Sequence, residues 1–194
     1  MPMTKMTDLK EVFSGISSFM FDTTPIASAS SVTLNPEIEL PVTVDTLSIS
    51  QDDPTINHYK VHGLGTDWVS TSEPGDATIE FTVPSVHAEV LNLAYGTSTQ
   101  ASQTFSADIE GAVKKIEAKT YSGRSITLSN VKVTGCIALL SDDGNNLLIV
   151  NNVALYASPV FDNASTEPFA FKFSGTIEAG TGASIYFLKK QQSQ

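Results

Sequence analysis

Three stretches of this chain alternate apolar and polar side chains with a period of two, and that rhythm constrains the fold more than any other feature. In Glu37–Asp45 the apolar positions are Ile38, Leu40, Val42 and Val44; in Thr78–Val83 they are Ile79, Phe81 and Val83; near the C-terminus they are Phe169, Phe171 and Phe173. Only an extended strand puts every second residue on one face, so each stretch predicts a strand with one buried and one wet face. Pro41 has no N–H for a ladder, which places the first of them at an edge or a bulge.

The same reading extends along the chain. Leu47 and Ile49, then Tyr59, Val61 and Leu64, continue the strand pattern, and Glu73, Pro74, Gly75 and Asp76 supply the turn into Ile79–Val83. A Ser/Thr/Gln turn is expected over 97–104, with strands at 105–109, 113–120, 125–134 and 136–140. Asp142–Asn145 reads as a turn before the apolar run Leu147–Tyr156, in which Asn151 and Asn152 mark a bulge. Ile185–Leu188 is the last strand.

Helical spacing occurs twice. Leu9, Val12, Phe13 and Ile16 follow Asp8 and Glu11, a capping-box spacing that predicts a short amphipathic helix. Val86, Val90, Leu93 and Ala94 predict a second, with Ser85 as N-cap and Gly96 as its left-handed stop. Between the first helix and the strands, Phe21–Pro36 is rich in Ser, Thr, Ala and Pro and reads as an extended connector. The expected organisation is an N-terminal arm over 1–31, a β domain over 32–188 and a polar tail over 189–194. The fold class is mainly β: an antiparallel β barrel or sandwich with one packed α-helix and a short N-terminal helical arm.

Composition excludes several functions. With 194 residues, 41% of them apolar, the chain can bury a sizeable core. Its longest apolar runs, Cys136–Leu140 and Val153–Ala157, stop at five residues, far short of the roughly 18 a spanning helix needs. No apolar signal segment follows Lys5 and Lys10, so no standard secretory signal is expected. The single Cys136 rules out an internal disulfide and favours a reducing, cytoplasmic site of folding. His58 and His62 share a face but lack further ligands at metal spacing, and His87 reads as a surface or interface residue. Gly63–Gly65 lacks the third glycine of a dinucleotide loop, and neither a nucleophile elbow nor a phosphate loop is present. Neither enzyme activity nor a cofactor nor a metal is expected.

Charge is segregated. The net charge is −10, and between Glu11 and Val113 fourteen acids face one base, Lys60. Lys114, Lys115, Lys119, Arg124 and Lys132 then fall within nineteen residues. One arginine in an acidic chain does not grip phosphates, so tight nucleic-acid binding is not expected. The basic cluster is either a patch that docks on an acidic face of another copy or a solvated strand face.

The order of elements, with Pro74–Pro84 leading into the helix at 86–95 and Pro168–Thr176 as a late strand, resembles the tail tube proteins of bacteriophages and contractile injection systems. The resemblance covers roughly residues 32–188. It implies a virion protein folded in the host bacterial cytoplasm, forming six-fold rings whose sheets join into an inner β barrel. It also implies stacking into a tube that meets sheath, baseplate or tail completion proteins and passes double-stranded DNA without holding it, with no membrane partner. An acidic wall suits that role, since duplex DNA carries a negative charge every ~1.7 Å. Under the resemblance, Gln51–Asp76 is the segment that reaches an adjoining ring. Lys114, Lys115, Lys119, Arg124, Lys132, His58 and Trp68 are the expected subunit-interface residues. The alternative is a monomeric virion decoration or carbohydrate-binding β-sandwich module, which would need exposed aromatic platforms such as Trp68.

Overall fold

The computed structural model of the protein describes residues 12–43, 45–111, 115–161 and 167–191. Its elements in chain order are β1 (Ser18–Asp22), β2 (Ile38–Glu39), β3 (Ser48–Gln51), β4 (Thr55–Tyr59), β5 (Val69–Glu73), β6 (Ala77–Val83), α1 (Ala88–Tyr95), β7 (Thr99–Thr104), β8 (Thr120–Ser125), β9 (Val133–Leu140), β10 (Asn146–Val160), β11 (Ala170–Ile177) and β12 (Ile185–Lys189). Eight strands form one antiparallel sheet in the order β2-β1-β9-β10-β11-β6-β3, with β12 also paired to β10; β4-β5 and β7-β8 are separate two-stranded ribbons.

The large sheet is rolled. β1 and β6 lie four positions apart in the strand order, which in a flat sheet is about 19 Å. Yet the rings of Phe19 on β1 and Phe81 on β6 are 4.6 Å apart, and Phe81 stacks on Phe173 of β11 at 5.2 Å. The segment from β2 to β3 runs along the seam: Leu40 N–H donates to Phe19 C=O at 2.8 Å on one side, and Thr43 N–H to Thr82 C=O at 2.8 Å on the other. Inside the roll, Phe21, Ile79, Phe81, Val83, Ile137, Leu139, Val153, Leu155, Phe171 and Phe173 are fully buried. Of the period-two stretches, Leu40, Ile79, Phe81, Val83, Phe171 and Phe173 are buried and Ile38 and Val42 half-buried, whereas Phe169 is exposed and Val44 lies outside the described residues.

A smaller cluster occupies the opposite face, where Ile26 covers Cys136, Ala138, Ile149 and Tyr186. The connector is thus strapped to the sheet. Its fixing point is the bulge in β10. There β9 pairs along one edge, while the other edge is taken first by β12 and then by β11, with the register shift falling between Val150 and Val153. Asn151 is buried, and its amide forks onto the strap: Oδ1 accepts from Ile26 N–H at 2.8 Å, and Nδ2 donates to Ile26 C=O at 2.8 Å and Ala183 C=O at 3.2 Å. The predicted bulge at Asn151–Asn152 is present, and Asn152 has φ 54°.

Helix α1 packs Val90, Leu91, Ala94 and Tyr95 on the core, and Tyr95 meets Phe171 edge-on at 5.7 Å. Gly96 caps it with φ 80°, as expected. The N-cap is His87 rather than Ser85: His87 Nδ1 accepts from Glu89 N–H, while Ser85 Oγ accepts from His87 N–H one step earlier.

Several expected boundaries move. The N-terminal helix falls partly outside the described residues, which exclude Asp8, Leu9 and Glu11; Val12–Ile16 is irregular, and α1 is the one helix among the described residues. Ser18–Asp22, placed by composition in the arm and connector, is a strand of the large sheet. The strand expected over 37–45 ends at Glu39, two residues before Pro41 removes a donor. The expected turn at 97–104 contains β7, whereas 126–132, expected as strand, is irregular.

Candidate assembly surfaces

In the two small ribbons nearly every side chain is exposed. β4-β5 prolongs the β3-β6 pair. Ser48 faces Glu80, Gln51 faces Ala77, and beyond the interruption Thr55 faces Glu73 and Tyr59 faces Val69, all in one register. Asp53–Pro54 and Pro74–Gly75 break the ladder because proline has no donor, but Asp52 N–H still bonds Asp76 C=O at 2.9 Å. The strands cross so closely there that a Cβ on Gly75 would lie 2.0 Å from Asp52 C=O. Glycine is required at that crossing.

Past the crossing, both faces of the ribbon are wet. Tyr59 and Trp68 are 56% and 63% exposed, and Ile56, Leu64 and Val69 are exposed as well. His58 Nδ1 pairs with Asp67 at 2.6 Å, with Lys60 Nζ 3.9 Å from the same carboxylate. The alternation expected through Tyr59 and Val61 thus has no buried face, and β5, whose Val69–Glu73 carries one apolar residue, left no signal in the pattern.

The second ribbon, β7-β8, pairs Thr99 with Ser125 through Thr104 with Thr120, and every residue in both strands is exposed. It continues to an Ile109–Ile116 bridge, with Phe105 against Tyr121 at 5.6 Å. Two-stranded ribbons are marginal in water when no third strand or packed face supports them. Their outer edges carry unpaired backbone groups, which template pairing with another chain.

The expected interface residues do not form one patch. Lys114 lies outside the described residues. Lys115 Nζ bonds Asp108 Oδ2 at 2.9 Å, and that bond, with one from Ala118 N–H, holds the Asp108 carboxyl below its ordinary pKa. Lys119 pairs with Glu117. Lys132, just before β9, pairs with Glu178 at 2.6 Å, which raises its pKa. Arg124 donates to Ser98 Oγ at 3.2 Å and makes no ion pair among the described residues. Among its described members the cluster is therefore largely neutralised within the chain, with Arg124 lacking an acidic partner. His58 and Trp68 stand on the other ribbon.

At the far end of the β3-β6 ribbon, a groove of about 790 Å³ opens beside the seam. Phe13, Ile16, Phe19, Leu40, Val42 and Leu47 give it an apolar floor, with Glu39 and Asp45 in its lining. Sequence patterning did not identify it, because it joins the irregular 12–17 segment to the seam. Among the described residues no three potential metal ligands come together, and no helix is long and apolar enough to cross a membrane. The chain matches no protein-family model and no curated protein.

Proposed function

We propose that this chain is a structural subunit that assembles with copies of itself into stacked rings, forming a tube through which duplex DNA passes to a host. The observation that carries the reading is the pair of two-stranded ribbons, exposed on both faces, projecting from an otherwise well-packed rolled sheet. Such ribbons gain order when a neighbour pairs their edges or covers their faces. The formal charge of −10 supports passage of DNA without capture. The ring symmetry, the virion setting and the sheath or baseplate partners rest on the resemblance to tail tube proteins. Light scattering of the purified chain tests the reading: particles many times 20.7 kDa are expected, and a monomer at high concentration refutes it.

A second reading, a monomeric decoration or carbohydrate-binding module, draws support from exposed aromatics. Trp68, Tyr59, Tyr121 and Tyr156 are all accessible, and of the five tyrosines Tyr95 and Tyr186 are buried. A glycan array in which binding disappears with Trp68→Ala would favour it.

A further inference from the structure

Three of the four methionines in the chain, Met1, Met3 and Met6, stand among its first six residues, and Leu9 follows them. Methionine is unbranched and polarisable, so it fills irregular apolar gaps and suits adaptable binding surfaces. Residues 1–11 lie outside the described residues, and the described chain begins at Val12, one residue before Phe13 in the wall of the groove beside the seam. Ile16, which shares the helical spacing of Leu9 and Phe13, is in that wall too. The segment is therefore tethered at the rim. Met6 is seven positions before Phe13, a reach of up to about 24 Å, so its side chain can return to the groove.

The charges match as well. The charged residues in the groove lining are Glu39 and Asp45, and neither makes an ion pair among the described residues. Glu39 accepts a hydrogen bond from Ser18 Oγ at 2.6 Å. In the N-terminal segment Lys10 sits between Asp8 and Glu11, whereas Met1–Thr7 carries Lys5 and no acid. The Met-rich part is thus apolar and basic, and the groove apolar and acidic.

We propose that residues 1–11 fold back over this groove in their own chain, with Met3, Met6 and Leu9 on its apolar floor and Lys5 against Glu39 and Asp45. The contact covers the half-buried Phe13, Val42 and Leu47 and closes the groove to other chains. Tethering makes it effective, because a segment attached at the rim meets its site at an effective concentration on the order of millimolar. The contact needs no second copy and does not rest on the assembly reading.

Thiol labelling of the full chain tests it. Thr43 lines the groove and is exposed among the described residues. Cys136 is fully buried with its thiol pushed up to about 12, so at pH 8 an introduced cysteine is the one that reacts. Thr43→Cys should label at least about tenfold more slowly than Ser70→Cys, an exposed site on β5 that does not line the groove. In the Thr43→Cys background, Met6→Ser should raise the rate at least about fivefold by removing an apolar anchor. Lys5→Glu should raise it about threefold, the scale of an exposed ion pair, and adding Glu39→Lys should bring it back down. Both changes run against the direct effect of charge on the thiol, since an added carboxylate disfavours the thiolate and an added ammonium favours it. Labelling of Ser70→Cys should ignore all three substitutions.

Thr43→Cys labelling as fast as Ser70→Cys overturns the proposal, and so does protection indifferent to Met6→Ser and Lys5→Glu. Protection that fades as the protein is diluted puts another copy in the groove; that overturns the proposal and leaves the tube reading standing. Protection that holds on dilution and falls with Met6→Ser supports it, whatever particle size light scattering finds.

Discussion

Asn151 ties the strap to the sheet through both polar groups of Ile26. Replacing it with alanine strands both of those buried groups, so Asn151→Ala should lower unfolding free energy by about 3 kcal/mol. A urea titration reads this as a lower midpoint with an unchanged slope; a loss under about 1 kcal/mol would show that water replaces the amide. Cys136 carries a pH signature. Burial first, then the Asp22 charge, pushes its thiol from 9.0 to about 12. Between those values the unfolded chain loses the proton while the folded chain keeps it, so stability falls as pH rises above about 9. Cys136→Ala should flatten that fall, and native Cys136 should resist a thiol reagent at pH 8 until the chain is denatured. Rapid labelling of the folded protein would contradict the buried site. The sequence announced Asn151 as a bulge because two adjacent amides interrupt an apolar run, but it could not announce Ile26 as the partner 125 residues away.

At the scale of elements, strands with one buried face were legible and strands with none were not. β6, β9, β10, β11 and β12 follow the period-two or apolar runs that predict them. β1 was passed over although Phe19 and Phe21 alternate with Met20, because the neighbouring helical spacing and the Ser/Thr-rich connector framed it as an arm. β7 and β8, reading Thr-Gln-Ala-Ser-Gln-Thr and Thr-Tyr-Ser-Gly-Arg-Ser, have no apolar side to betray them. In the assembly proposed above, neighbouring copies supply the cover these ribbons lack. Their amides should exchange with solvent quickly in the dissociated chain and become protected on assembly, whereas those of β9 and β10 should be protected in both states. Unchanged exchange in both ribbons after assembly would mean that neither takes part in the contacts.

For the whole molecule, folding pairs most of the described members of the basic cluster with acids. Lys115, Lys119 and Lys132 find acids nearby, and only Arg124 among the described members is left without one. Arg124→Glu should therefore weaken assembly more than Lys132→Glu, and more at low salt than at high salt, because an exposed attraction is screened. Sedimentation across a salt series measures this; equal effects of the two substitutions would remove Arg124 from the interface. The rolled sheet itself was foreseeable from alternation, while its closure depends on Phe19 meeting Phe81, a contact between segments 62 residues apart that no local pattern encodes. The central claim is that copies complete one another around a hollow axis. Negative-stain electron microscopy of the purified chain tests it most directly: end-on views should show rings with an open centre, stacked in side view. A uniform field of single particles of one chain's mass, at concentrations where a tube subunit would assemble, would contradict it.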